Sequence, residues 1–146
     1  MSNTIDNLGI NFDEDFEELY DPILDSIYPN NNYSELKPFI ANVLIGNISA
    51  KRLNNSIGYK FTLYGFHAKQ VTFSDDKIGR ITTIFGITDN NELCAYSTTS
   101  DKVLTACRII SSVFGDELTK NGIPVIIREK KNDKGTSYTL EVVKGA

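Results

Sequence analysis

The side chains best equipped for chemistry in this sequence are cations and flat rings set close together. Lys51 and Arg52 open a stretch continued by Leu53, Asn54 and Asn55, and Lys130, Lys131 and Lys134 crowd a second stretch near the C-terminus. Between them the chain alternates: Tyr59, Phe61, Leu63 and Gly65 fall on one side of an extended backbone, and Lys60, Thr62, Tyr64 and Phe66 on the other, with Lys69 beyond. Arg80 and Thr82 open the next apolar run and would extend that second side. Lysine and arginine neutralise phosphates. An aromatic ring stacks on any base, each stack worth about 1–3 kcal/mol. Side chains of this kind, so arranged, suit a polyanion that carries planar groups.

Each of these residues has a plainer reading beside it. Tyr64 and Phe66 are equally suited to pack beneath another segment. A lysine-rich hairpin tip is commonly a solvated turn, and lysines at strand edges guard against aggregation. His67, the one histidine, follows Phe66 and suits either packing or stacking on a base. With one histidine, a Ser-His-Asp or Cys-His device would depend on His67 alone. No glycine loop of the phosphate-cradling kind occurs, and the carboxylate spacing matches no calcium loop. The expectation is a non-enzymatic protein without cofactor or metal. Cys94 and Cys107 form no metal pattern and read as two reduced, buried thiols.

The charges are strongly partitioned. The first 35 residues hold nine carboxylates and no lysine or arginine, whereas all fifteen cations follow. The net charge of −4 therefore combines an acidic arm with a basic body. We read residues 1–35 as an amphipathic acidic arm and residues 36–146 as one globular domain with 111 residues, enough for a single core. The N-terminus lacks the basic and apolar regions of a secretory signal, and no apolar run approaches the roughly 20 residues of a membrane span. The expected compartment is the cytoplasm, of the protein's own cell or of a bacterial host, with no membrane partner.

The elements that must position these side chains follow from hydrophobic period. Phe12, Phe16, Leu19 or Tyr20, Ile23 and Ile27 have helical spacing, broken at Pro22 into two short helices ending before Pro29. Residues 29–37 read as a linker. From there the period shifts toward two. Residues 39–50, 59–73 (bent near Gly65), 80–88, 92–97, 124–130 and 137–143 are predicted strands. Residues 52–58, 74–79, 89–91 and 131–136 join them. A helix is predicted from a cap at Thr98 or Ser100 to a stop at Gly115, with Val103, Cys107, Ile110 and Phe114 on its core face. Mainly β structure with a helix between the third and fourth main strands is the arrangement of a five-stranded OB-fold barrel, preceded here by the acidic helical arm. In that barrel the loop at 51–55 and the loop at 130–134 would flank the binding face.

The segment ITTIFGITDNNELCAYSTTSDKVLTACRII and the closing pair PVIIREKKNDKGTSYTLEVV resemble OB-fold single-stranded-DNA-binding proteins of the small divergent bacteriophage and mobile-element type. The resemblance implies non-specific binding of single-stranded DNA in replication or recombination, often by homo-oligomers. Lys51, Arg52, Lys60, Lys69, Arg80, Lys130, Lys131 and Lys134 would then meet phosphates, and Tyr64 and Phe66 would meet bases. Many such proteins carry an acidic tail at the C-terminus that recruits partners. This chain ends in EVVKGA and has its carboxylates at the other end. An alternative is a protein-interaction module, an adaptor, anti-defence inhibitor or DNA mimic, in which the acidic arm docks on replication or recombination proteins.

Overall fold

The computed structural model describes residues 23–144. In chain order these form β1 (Ile23–Ile27), α1 (Leu36–Ile45), β2 (Lys51–Arg52), a 3-10 turn (Leu53–Asn55), β3 (Lys60–Thr72), β4 (Ile78–Thr88), β5 (Leu93–Thr98), α2 (Asp101–Phe114), α3 (Asp116–Lys120), β6 (Ile123–Asn132) and β7 (Gly135–Val142). One sheet takes all the strands in the order β2-β5-β4-β3-β6-β7, with β1 added to β3. Neighbours are antiparallel except for the β2–β5 pair. The sheet curls into a half barrel. Its two ends are tied where the Ser100 hydroxyl, just before α2, donates to the Tyr138 carbonyl of β7 at 3.1 Å. Ser100 begins α2 without a side-chain cap, so the expected capping box from Thr98 does not form.

β3 is the axis of the sheet. One edge pairs with β4 along its length, while the other serves β6 through residues 60–63 and β1 through residues 66–69. The changeover lies at Tyr64 and Gly65. Leu63 faces Gly86 and Gly65 faces Phe85, so Tyr64 is the extra residue of a bulge. The bulge reverses the alternation. Phe61 and Leu63 before it and Phe66 and Ala68 after it are all 0% exposed. The expectation of Phe66 on the binding face is therefore overturned, because the inserted residue turns its ring into the core. Gly65 is needed at this point: a Cβ there would collide with the Ile27 carbonyl oxygen and push β1 away.

Two other expectations fail. Residues 39–50 are not a strand, since α1 occupies Leu36–Ile45. Leu36 and Ile40 are four apart and buried, and Val43 packs beside them. Pro38 falls in the first turn, where its missing N–H has no helical acceptor to lose. Gly46, at φ 105°, ends the helix by donating to the Asn42 and Val43 carbonyls. The helix expected over residues 12–28 is a strand where it falls within the described residues, at Ile23–Ile27. β3 leaves its second edge unpaired beyond Leu63, and satisfying those backbone groups outweighs the local i, i+4 spacing. The remainder of that expected helix, with Phe12, Phe16, Leu19 and Tyr20, lies outside the described residues.

The sheet is covered on both faces. On the inner face Phe61, Leu63, Phe66, Ile84 and Ile127 pack with Val103, Leu104, Cys107 and Ile110 of α2. On the outer face Leu36 and Ile40 of α1 lie on Phe85 and Ala95, with Tyr33 and Tyr64 at the margin. Both cysteines are free and buried. Burial pushes the Cys94 thiol up to about 12 and raises Cys107 as well, so both stay neutral and unreactive. Replacing Phe66 by Ala should cost about 3–5 kcal/mol through the cavity it leaves. Gly65→Ala should cost about 1–3 kcal/mol through overpacking. Urea unfolding midpoints measure both, and an unchanged midpoint for Phe66→Ala would contradict the inward ring.

Candidate functional site

Beyond the C-terminal end of α1 the outer sheet face is open. Two depressions there, of about 740 and 440 Å³, share Ile81 and Ser97 and so form one groove. Cross-strand register supplies its floor. His67 faces Thr83, Thr83 faces Ser97, and Ser97 faces Arg52, a single row across β3, β4, β5 and β2. At roughly 4.8 Å per strand the row spans about 14 Å. Lys69 and Ile81 form the neighbouring pair. The bulge at Tyr64 is what turns His67 and Lys69 outward to this floor.

The walls differ in character. At the β3 end stand Ile23, Tyr28 and residues that follow α1, including Ile48 and Ala50. At the β2 end, hydroxyls gather around Arg52: Thr98, Thr99 and Ser100 from the β5–α2 connection, and Thr136, Ser137 and Tyr138 from β7. Among the described residues neither end is lined by an aspartate or glutamate. An anion entering the groove meets cations and hydroxyl groups.

His67 is 7% exposed and buried beneath Tyr28. The two rings stack at 6.2 Å between centroids, and the Tyr28 hydroxyl lies 2.8 Å from His67 Nδ1. Burial lowers the His67 pKa, and the neighbouring Lys69 charge lowers it further. The neutral ring and the Tyr28 hydroxyl share one hydrogen bond at Nδ1. This pair fixes the segment after β1 against the groove floor.

Of the ten residues singled out in the sequence, the groove gathers Arg52 and Lys69. Tyr64 is half-buried beside Tyr33 and borders a separate depression formed with residues 30–33 and 120–121. Burial raises its hydroxyl pKa. Lys51 faces the core residue Tyr96 across the β2–β5 pair, which sets it on the opposite side of the edge strand from Arg52. Lys60 is exposed at the start of β3, opposite Ile126 and away from the groove. Arg80 also departs from the expected surface. It sits on the strand side opposite Ile81 and holds Asp101 through two contacts of 3.2 Å, a fork that leaves its guanidinium already matched.

Of the two expected clamp segments, the first contributes Arg52 and Asn54 as expected and the second does not contribute its lysines. Arg52 and Asn54 stand opposite residues 136–138, while the lysines of the final hairpin lie elsewhere. Lys131 pairs with Glu129 at 3.7 Å, Lys130 borders a groove between α2 and β7, and Lys134 occupies the turn. The sequence reading missed Tyr28, Thr83 and the role of the run Tyr96-Ser97-Thr98-Thr99-Ser100. Four successive hydroxyl residues at the end of a strand were the signal for that run.

Among the described residues no group of three or more His, Cys, Asp or Glu is placed to hold a metal ion, and no helix is long and apolar enough to cross a membrane. No family model, curated protein or solved structure matches the chain. The buried histidine gives a direct test of the groove's β3 wall. The unfolded ring takes up its proton near 6.5, whereas the folded ring resists it. Its contribution to stability is complete above that value and declines as pH falls through it toward the lower folded pKa. Urea midpoints should therefore fall more steeply below about pH 6.5 in the wild type than in His67→Gln. Parallel pH profiles would contradict the neutral, buried ring.

Proposed function

We propose that this protein binds single-stranded DNA without catalysis, in replication or recombination, along the row His67–Thr83–Ser97–Arg52. The groove over that row, which brings Arg52 and Lys69 together with a bank of hydroxyls, carries the reading. It combines Arg52 and Lys69 with rings at Tyr28 and Tyr138 and a bank of hydroxyls, as a sequence-tolerant single-strand site requires. Its floor is a sheet face walled on both sides, so bases must be unpaired to lie against it.

The strand order supports an OB-type barrel. The path β5-β4-β3-β6-β7, with α2 linking β5 to β6, follows the five-strand order with its helix between the third and fourth strands. In this assignment the first barrel strand is β3, not residues 39–50. The groove then occupies the outward face of the second and third strands, where OB folds take oligonucleotides. The loop joining the first two strands is then residues 73–77, which carry Asp75, Asp76 and Lys77, and not the basic loop at 51–55. The competing adaptor reading has its active surface mainly in residues outside those described.

Salt dependence separates a two-cation groove from a diffuse basic surface. Each phosphate neutralised on a single strand contributes a slope of about 0.7 in log affinity against log salt. Arg52 and Lys69 together predict a slope of about −1.4. All eight cations suggested by the sequence would give about −5.6. Fluorescence anisotropy with an oligo-dT across a salt series measures this. Arg52→Ala and Lys69→Ala should each weaken binding and flatten the slope, while Lys60→Ala and Lys134→Ala should leave both unchanged. Absence of binding at low salt, by the full chain and by a form lacking residues 1–22, would refute the proposal.

A further inference from the structure

The helix α2 has two apolar sides, and the described residues cover one of them. Val103, Leu104, Cys107 and Ile110 enter the core. Ala106, Ile109 and Val113 follow at the i, i+3, i+7 spacing of a second stripe. Ile109 is 57% exposed and Val113 69%. Between this stripe and β7 runs a groove of about 440 Å³ that also takes in Ile110, Leu140 and Val142. Lys102 and Lys130 stand along it, and among the described residues no carboxylate lines it.

We propose that this groove is the docking site of the chain's own residues 1–22. That segment holds seven carboxylates and no cation. Its apolar residues Phe12, Phe16 and Leu19 have the i, i+4, i+7 spacing that lays one helical face into an apolar groove. The acidic residues around them would then meet Lys102 and Lys130. Charge and apolar spacing thus match on both sides of the contact.

The point of attachment supports an occupant from the same chain. β1 begins at Ile23 and is held to α2 by the Arg108 guanidinium, whose Nε donates to the Asp25 carboxylate at 2.9 Å. Arg108 adjoins Ile109 in sequence, so β1 lies against the helix that carries the exposed stripe. The three residues between Leu19 and Ile23 reach about 10 Å when extended. A tether this short gives an effective concentration on the order of millimolar, so a modest contact suffices. The groove lies on the helix-bearing inner side of the sheet, away from the outer-face row proposed for nucleic acid. The inference therefore stands independently of that function.

Methyl NMR on the full-length chain tests it. Replacing Phe12 and Phe16 together by Ser should shift the methyl signals of Ile109, Val113, Leu140 and Val142, by the same amount across a tenfold dilution. Val113→Asp, at a surface position, should in turn shift the ring signals of Phe12 and Phe16. Groove methyl signals that do not move would overturn the proposal. So would shifts confined to residues near Arg52 and Lys69, which would place the segment in the other groove. Shifts that vary with dilution would assign the groove to a second copy and overturn it equally.

Discussion

β3 serves two partners on one edge because it holds one residue more than β4 can match. The extra residue is Tyr64, and the geometry around it decides which side chains are available for function. Without the bulge, strict alternation would send His67 and Lys69 toward the core and expose Phe66. With it, Phe66 joins Phe61 and Leu63 inside, and His67 and Lys69 reach the outer face. The same irregularity leaves room for β6 to depart and β1 to enter. Gly65 makes that entry possible by letting the backbone of Ile27 come close. Core and groove thus depend on one inserted residue.

Charge on this molecule is more constrained than its composition suggests. Several cations are already matched: Arg80 to Asp101, Arg108 to Asp25, Arg128 to Glu141 and Lys131 to Glu129. All four pairs are at least partly solvated, and such pairs contribute little to stability, commonly under 1 kcal/mol. Their effect on the field is larger, because each removes a positive charge from the surface a polyanion would sense. What distinguishes the groove is therefore the meeting of Arg52 and Lys69 with a bank of hydroxyls along one row of four strands. The hydroxyls of residues 97–100 and 136–138 complete it as neutral donors that add no self-repulsion.

Much of the framework was legible from period and punctuation. The hairpin of β4 and β5, the long bent β3, the helix α2 and the final hairpin were all read close to their observed positions, although Phe114, expected on the core face of α2 with Val103, Cys107 and Ile110, is exposed at the helix end. The failures share a cause. Residues 39–50 are rich in β-branched and aromatic side chains, and their apolar positions fit both a two-residue and a four-residue period. Pro38 and Gly46 were the residues that could have decided between them. Ile23 and Ile27 fit a helix locally, but the unpaired edge of β3 is a tertiary fact that a local pattern does not contain. The misplacement of Phe66 was subtler. Gly65 marked the bend, but which neighbour would be the extra residue depends on pairing with β4. Assigning a strand to one face across a glycine bend is therefore unsafe, and every side chain beyond the bend inherits the error. Lys69 entered the groove because it lies an odd number of positions after Phe66, opposite in face to that core residue.

The two proposed surfaces bear on each other through electrostatics. Residues 1–22 carry seven carboxylates, and the groove on the outer face offers two lining cations. An acidic segment free to approach that groove would neutralise it and repel phosphates. At physiological ionic strength such repulsion fades beyond a screening length of about 8 Å. Anchoring Phe12, Phe16 and Leu19 against α2 would place the carboxylates on the inner side of the sheet, with the sheet between them and the groove. The separation then comes from hydrophobic burial, which salt does not screen, while the field at the groove is salt-dependent. An acidic end held there would leave the groove's positive field open to a polyanion at low salt, where screening is weakest.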